Sequence, residues 1–157
     1  MLNTYQPSIR NVSKNLFIGD FMASINCNEL LQHNITHILV CGKELCCRYP
    51  DRFEYKHILV DDSPSQPINE SFDEAFQFIQ RGVKLGRVLV HCAQAKSRSV
   101  TIIISFLMKS QKLKFEKVFE TLKKIHPQAD PNSGFRRQLI EYEKTIGVNE
   151  GCMNNIF

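Results

Sequence analysis

Apolar residues along this chain fall into short continuous runs separated by stretches with helical spacing, and the alternation predicts strands and helices in turn. The runs 16–18 and 35–41 have strand length. Between them, Ile25, Cys27, Leu30 and Leu31 recur at helical intervals and predict a short helix over 24–32. The stretch 53–60 predicts a further strand, and Ser-Pro-Ser-Gln-Pro at 63–67 a loop, because its prolines interrupt regular structure. Ser71 with Glu74 matches a capping box, after which Phe72, Ala75, Phe76, Ile79 and Val83 mark one helix face. Gly86 closes that helix, and Arg-Val-Leu-Val at 87–90 predicts a buried strand. The run 100–108 is apolar on all sides, as a central buried helix requires. Phe115, Val118, Phe119, Leu122 and Ile125 form the next stripe, ended by Pro127, and Phe135, Leu139, Tyr142 and Ile146 the last.

Apolar strands alternating with helices imply an α/β fold, with a mainly parallel central sheet flanked by helices on both faces. The chain has 157 residues, no internal repeat and no low-complexity linker. It therefore reads as a single domain over 1–157, with a core at about 15–147 and a tail at about 148–157 expected to fray.

The densest chemistry lies in Val-His-Cys-Ala-Gln-Ala-Lys-Ser-Arg-Ser at 90–99. Cys92 follows the predicted strand, Arg98 comes six positions later, and the apolar helix begins at once. A buried strand that ends at a nucleophile and turns through a short loop into a helix start aims successive backbone N–H groups beside the sulfur. The helix dipole favours an anion there, and the same field favours thiolate over thiol. Arg98 adds a planar fork suited to two phosphate oxygens. Nucleophile, amide cradle and arginine together describe phosphoryl transfer to sulfur.

The His-Cys pair, five intervening residues and Arg-Ser resemble the signature of the cysteine-dependent protein tyrosine phosphatase superfamily, most closely its small, atypical dual-specificity phosphatases. Four further stretches resemble that family in the same order. They are Asn-Leu-Phe-Ile-Gly-Asp at 15–20, Ile-Thr-His-Ile-Leu-Val at 35–40, Tyr-Lys-His-Ile-Leu-Val-Asp-Asp at 55–62, and Pro-Asn-Ser-Gly-Phe-Arg-Arg-Gln-Leu-Ile-Glu-Tyr-Glu at 131–143. The resemblance implies a phosphatase catalytic domain with its phosphate-binding loop between a strand and a helix. It also implies hydrolysis of phosphotyrosine and phosphoserine or phosphothreonine in proteins, through a cysteinyl-phosphate intermediate and without metal or other cofactor. By the same resemblance Cys92 is the nucleophile, and Ala93, Gln94, Ala95, Lys96, Ser97 and Arg98 form the phosphate cradle. Asp62 protonates the leaving oxygen, with Asp61 as its alternative; Ser99 helps the thiolate depart. His91 donates a hydrogen bond that orders the loop, and Asn132 braces it. Each of the last three residue types also has a structural use: a helix N-cap for Ser99, a satisfied core histidine for His91, a cap before Phe135 for Asn132.

Two features, the Gln94-Ala95 pair and Lys96, depart from the family pattern. The family usually has Ala-Gly where this loop has Gln94 and Ala95. If Ala95 takes a positive φ, the missing glycine costs about 1 kcal/mol or more and slows turnover. Lys96 stands where related phosphoinositide phosphatases often place a base. A non-protein substrate such as a phosphoinositide, and a low-activity phosphopeptide-binding module, are therefore the alternatives to a protein phosphatase. A sulfur-transfer or reductase reading of Cys92 leaves Asp62 and Asn132 without a use.

Composition narrows the partners. The net charge is +4, with Lys109, Lys112, Lys114, Lys117, Lys123, Lys124, Arg136 and Arg137 spread at helical spacing among Glu116 and Glu120. This reads as a solvated helix face rather than a nucleic-acid surface, and it suits anionic, phosphorylated protein substrates. The run 100–108 is too short to span a bilayer. The first residues lack a signal peptide's basic and apolar regions, so a cytoplasmic or nuclear location is expected. Cys27, Cys41, Cys46, Cys47, Cys92 and Cys152 show no paired metal-ligand spacing. Cys27 and Cys41 read as small core hydrophobes. Cys46 and Cys47, in an apparent loop, are candidates for a resolving thiol that reaches Cys92.

Overall fold

The computed structural model describes residues 8–148. In chain order it contains β1 (Arg10–Ser13), β2 (Leu16–Gly19), α1 (Phe21–Ile25), α2 (Cys27–Gln32), β3 (His37–Cys41), β4 (Glu54–Ile58), α3 (Phe72–Leu85), β5 (Val88–His91), α4 (Arg98–Gln111), α5 (Phe115–Ile125) and α6 (Ser133–Ile146). The five strands form one sheet in the order β1-β2-β5-β3-β4. All neighbours are parallel except β1, which pairs antiparallel with β2. This is the α/β, mainly parallel architecture expected from the alternating runs. The tail expected at about 148–157 lies, beyond Val148, outside the described residues, as does Cys152. No helix among the described residues is long and apolar enough to cross a membrane.

Strand periodicity distributes the side chains between two cores. Leu16, Ile18, Leu39, Val88 and Val90 pack on one face with α3, α4, α5 and α6. Phe17, Ile38, Val40 and Leu89 pack on the other against Ala23 and Leu30 of the two short helices. Central β5 is buried along its length, as its unbroken apolar run requires. α4 behind it is buried at every position from Arg98 to Met108. Burying a single side chain such as Ile102 there contributes about 1.5–3 kcal/mol. β5 runs beside β2 and β3, so its carboxyl end opens where loops from three strands converge, the usual ligand position in a parallel sheet.

Four local expectations change. β1 was not expected, because only Val12 of its four residues is buried and an edge strand carries little apolar signal. The helix expected over 24–32 is divided in two. Asn26 leaves helical geometry, and its side chain accepts from the Glu29 N–H, starting α2 afresh. Ser71 makes no side-chain cap bond, because it ends a 3-10 turn at Ile68–Ser71 that runs straight into α3. α4 begins at Arg98 rather than Val100, so Arg98 and Ser99 belong to its first turn.

Gly134 at the start of α6 shows how closely that helix approaches the loop after β4. A Cβ there would overlap the Pro64 carbonyl group. Helix propensity alone would make Gly134→Ala stabilising by up to about 1 kcal/mol. The backbone contact reverses the sign: the variant is expected to melt below wild type in a thermal unfolding scan, and an unchanged or higher Tm would contradict this packing.

Candidate active site

The site is built from the turn between β5 and α4. β5 delivers Cys92, 3% exposed, at the end of a fully buried strand. Over the next five residues every carbonyl is tied to the scaffold. Ala93 O accepts from the Phe21 N–H at 3.1 Å and Lys96 O from the Asp130 N–H at 2.8 Å. Gln94 O accepts from Gln128 Nε2 at 3.4 Å, and Ala95 O from His126 Nε2 at 2.6 Å. Ser97 O accepts from the Thr101 N–H at 2.9 Å and from Thr101 Oγ1 at 2.8 Å. The peptides are all trans, and in a planar trans peptide the N–H points opposite to the C=O. Holding five carbonyls outward therefore turns the N–H groups of residues 94–98 toward the cleft. That cleft, about 190 Å³, is lined by Cys92, by the loop residues Ala93, Gln94, Lys96, Ser97 and Arg98, and by Asp62.

Ala95 is the cradle residue that does not line the cleft. Its side chain is buried in the core and its φ is +52°. The positive φ considered from the sequence is thus adopted by a non-glycine residue, at a cost of about 1–2 kcal/mol.

The charged groups are set around the sulfur. Arg98 presents its fork to Glu44, with Nη1 at 2.8 Å from Oε2 and Nη2 at 2.5 Å from Oε1, and Nη1 also donates to Val60 O at 3.3 Å. Burial alone would lower the guanidinium pKa. The hydrogen bond and charge of Glu44, with Cys92 and Asp62, outweigh burial and raise it. Arg98 in turn holds the Glu44 carboxyl below its ordinary range. Gly42 permits the approach, since a Cβ there would stand 2.7 Å from Arg98 Nη1 and 2.9 Å from Glu44 Oε2. Arg98 Nε is buried with no partner among the described residues, a donor left for an oxygen in the cleft. Cys92 Sγ lies 3.1 Å from Ser99 Oγ. Ser99 is fully buried inside the first turn of α4, so it is not that helix's N-cap; Ser97 occupies the cap position.

His91 Nδ1 sits 3.4 Å from Cys92 O, while its Nε2 has no partner among the described residues. Burial pushes its pKa down to about 4, so the ring is neutral near pH 7. Asp62 lines the cleft, whereas Asp61 turns away to Lys43 Nζ at 2.7 Å. Asn132 differs from the expected loop brace. Its Oδ1 caps α6 by accepting from the Phe135 N–H at 2.9 Å, and its Nδ2 donates to Asp62 Oδ1 at 2.9 Å. Only its backbone N–H reaches the loop, at Ser97 Oγ, 3.0 Å away. The amide oxygen is committed to an orphan N–H of the helix start, which leaves the amide nitrogen facing the carboxyl. Lys96 is half exposed, and its Nζ is 3.9 Å from Asp130.

Sequence reasoning missed Glu44, His126 and Gln128. None stands in a recognisable motif, and each meets the loop only through long-range contact. The thiol nearest Cys92 along the sheet is Cys41, one step beyond the Val40–His91 pair. Its pKa is raised, first by burial and then by the Cys92 charge. Cys46 is exposed and Cys47, half-buried, packs against the other core cluster.

A buried thiol beneath a cradle of amides, with a guanidinium beside it and a carboxyl across the cleft, defines an oxyanion-binding site that contains a nucleophile. Comparison with known proteins agrees. The family described as "Dual specificity phosphatase, catalytic domain" matches residues 16–145. Dual specificity protein phosphatase 1B of Arabidopsis thaliana is 39% identical over 142 residues, covering 90% of this chain and 85% of that protein. The chain is 38% identical over 147 residues to Dual specificity protein phosphatase PHS1 of Arabidopsis thaliana but spans only 16% of its length. Among solved structures, DUSP15 superposes with a TM-score of 0.80 at 32% identity over 88% of each chain. A mouse putative dual specificity phosphatase complexed with zinc tungstate gives 0.86 at 25% identity over 92% of each. The chain belongs to the dual-specificity phosphatase family and is a protein phosphatase of that class.

Two measurements probe this arrangement. Glu44→Gln keeps the shape of the Arg98 partner but removes its charge. It is expected to lower kcat/KM for a phosphate ester about tenfold; kinetics equal to wild type would show that Arg98 needs no clamp. His91 has a folded-state pKa of about 4 against an ordinary 6.5. As pH falls the unfolded chain takes up that proton first, so the stability is complete above pH 6.5 and lost progressively toward pH 4. The group accounts for up to about 3 kcal/mol of acid destabilisation. Urea unfolding at pH 7 and pH 4.5 should show His91→Asn losing less stability than wild type, and equal losses would refute the assignment.

Proposed function

We propose that this chain hydrolyses phosphotyrosine and phosphoserine or phosphothreonine in proteins through a cysteinyl-phosphate intermediate. The observation that carries the reading is the placement of Cys92, Arg98 and Asp62 around one cleft whose floor is made of inward amides. The phosphate dianion settles against the N–H groups of the loop and against Arg98. The Cys92 thiolate attacks phosphorus in line, forming S–P as the ester P–O bond breaks, while Asp62 gives its proton to the leaving oxygen. Asp62, then a carboxylate, takes a proton from water, whose oxygen attacks phosphorus and expels the thiolate. The Ser99 hydroxyl, 3.1 Å from the sulfur, stabilises the returning charge. The loop amides and Arg98 act on the equatorial oxygens, where transition-state charge accumulates. His91, neutral, donates toward the Cys92 carbonyl and helps to set the turn. Asn132 is a positioning residue, holding one oxygen of Asp62.

Within these steps the loop amides, Arg98, Asp62 and Ser99 are the groups that answer the developing charges. Protein substrates are favoured over phosphoinositides because Lys96 is the one base of the loop besides Arg98, and Ala93 stands where such lipid phosphatases commonly carry another.

The test is phosphate release, with chelator and reductant present, from a peptide carrying both phosphothreonine and phosphotyrosine. Wild type is expected to release both phosphates, and Cys92→Ser neither. Asp62→Asn should lose about 100-fold or more in kcat on phosphothreonine, where the leaving group is poor. It should lose much less on p-nitrophenyl phosphate. Peptide binding without release would favour the phosphopeptide-binding alternative, and release from a phosphoinositide alone would favour the lipid one.

A further inference from the structure

We infer that His126 is a positioning residue for phosphate transfer, acting through the Ala95 carbonyl to hold the left-handed turn of the loop. Its place in the chain is built for this. α5 ends at Ile125, and His126 closes it with its N–H bonded to Leu122 O at 2.7 Å. Pro127 then prevents continuation. The ring turns inward, 1% exposed, and Nε2 reaches Ala95 O at 2.6 Å. Burial lowers the pKa of this ring, so it carries one proton. A carbonyl oxygen only accepts, so that proton is on Nε2. Nδ1 is left buried without a partner among the described residues.

The bond matters because of what it opposes. Ala95 holds φ +52° with a Cβ that disfavours it, where a glycine would be indifferent. Ala95 can leave that basin only if the 94–95 or the 95–96 peptide rotates. His126 pins the 95–96 peptide, whose N–H, that of Lys96, faces the cleft. Rotation of that peptide would bring a carbonyl oxygen into a site built for an anion. The neighbouring peptide is held less firmly, by Gln128 from the exposed surface at 3.4 Å. The short bond from a buried ring is therefore the stronger restraint on the strained residue. It rests on the phosphatase activity of the family only for its kinetic readout, since oxyanion binding reports on it directly.

The experiment compares wild type, His126→Phe, which fills the space but cannot donate, and His126→Gln, which restores a donor. Each is made with Ala95 and with Ala95→Gly. The readouts are kcat and KM for p-nitrophenyl phosphate, tungstate affinity by calorimetry, and Tm. His126→Phe is expected to weaken tungstate binding and lower kcat/KM about tenfold, the scale of one hydrogen bond. His126→Gln should recover most of both. In the Ala95→Gly background the His126→Phe loss should shrink by about threefold or more, because glycine needs no restraint there. Losses of equal size in both backgrounds, or unchanged tungstate affinity in His126→Phe, would overturn the inference. Should His126→Phe fail to fold, His126→Asn, whose shorter donor misses the carbonyl, is read in the same way. A wild type that binds tungstate but hydrolyses nothing would count against Cys92 catalysis and leave the His126 comparison readable.

Discussion

The outward hold on the carbonyls of residues 93–97 is the constraint on which the rest of the site depends. Inward amides concentrate partial positive charge, and no loop would gather them spontaneously in the absence of an anion. The scaffold imposes the shape from three sides. α1 supplies the Phe21 N–H, α4 supplies Thr101, and the connection between α5 and α6 supplies His126, Gln128 and Asp130. This explains why helices remote from the strands matter to the chemistry. α5 and α6 bury their apolar stripes against α4, and their connecting segment is thereby pressed onto the back of the loop. The sheet places the sulfur, and the helices shape what surrounds it.

The electrostatics follow the same logic of arranging charge before a substrate arrives. A buried guanidinium is expensive unless paired and hydrogen-bonded. Glu44 and the Val60 carbonyl meet that need while leaving Nε unpartnered at the cleft. Glu44 is itself half exposed, so water screens its charge on the far side while the fork stays fixed. His91 contributes no charge at neutral pH, because burial keeps it deprotonated. The positive potential around Cys92 therefore comes from Arg98, from the amides and from the start of α4, not from the adjacent histidine.

Much of this was legible in the sequence, and the limits have physical causes. The buried strand β5 and helix α4 announce themselves because continuous apolar runs have one explanation in an α/β fold. Cys92 and Arg98 stand out because they flank the turn between those two runs, whereas Asp62 and Ser99 were assigned by the resemblance of their stretches to the family. β1 escaped because an edge strand with a single buried residue, Val12, has no periodic signal. The break at Asn26 escaped because a capping side chain inside an apolar pattern leaves the pattern intact. Glu44 and His126 escaped for another reason: each touches the site across more than thirty residues of chain, and only folding reveals the contact. Asn132 was found for its position, but its side chain serves Asp62, which spacing alone does not show.

The start of α6 joins the two halves of the site. The Asn132 backbone N–H holds Ser97 in the loop, and its side chain holds Asp62 across the cleft. Gly134, two residues later, lies against the Pro64 backbone that follows Asp62. The Ser97 end of the cradle and the carboxyl at the leaving oxygen therefore share a mount, the first turn of a helix whose far end packs Ile146 into the core. Asp62 is exposed and sits in a loop, and the Asn132 amide ties its carboxyl to that turn. A displacement of α6 therefore moves Asp62 and strains the Ser97 end of the loop, while α1, α4 and the α5–α6 connection hold the rest of the cradle beside Cys92. The aim of the acid at the leaving oxygen thus depends on the packing of α6 against α4.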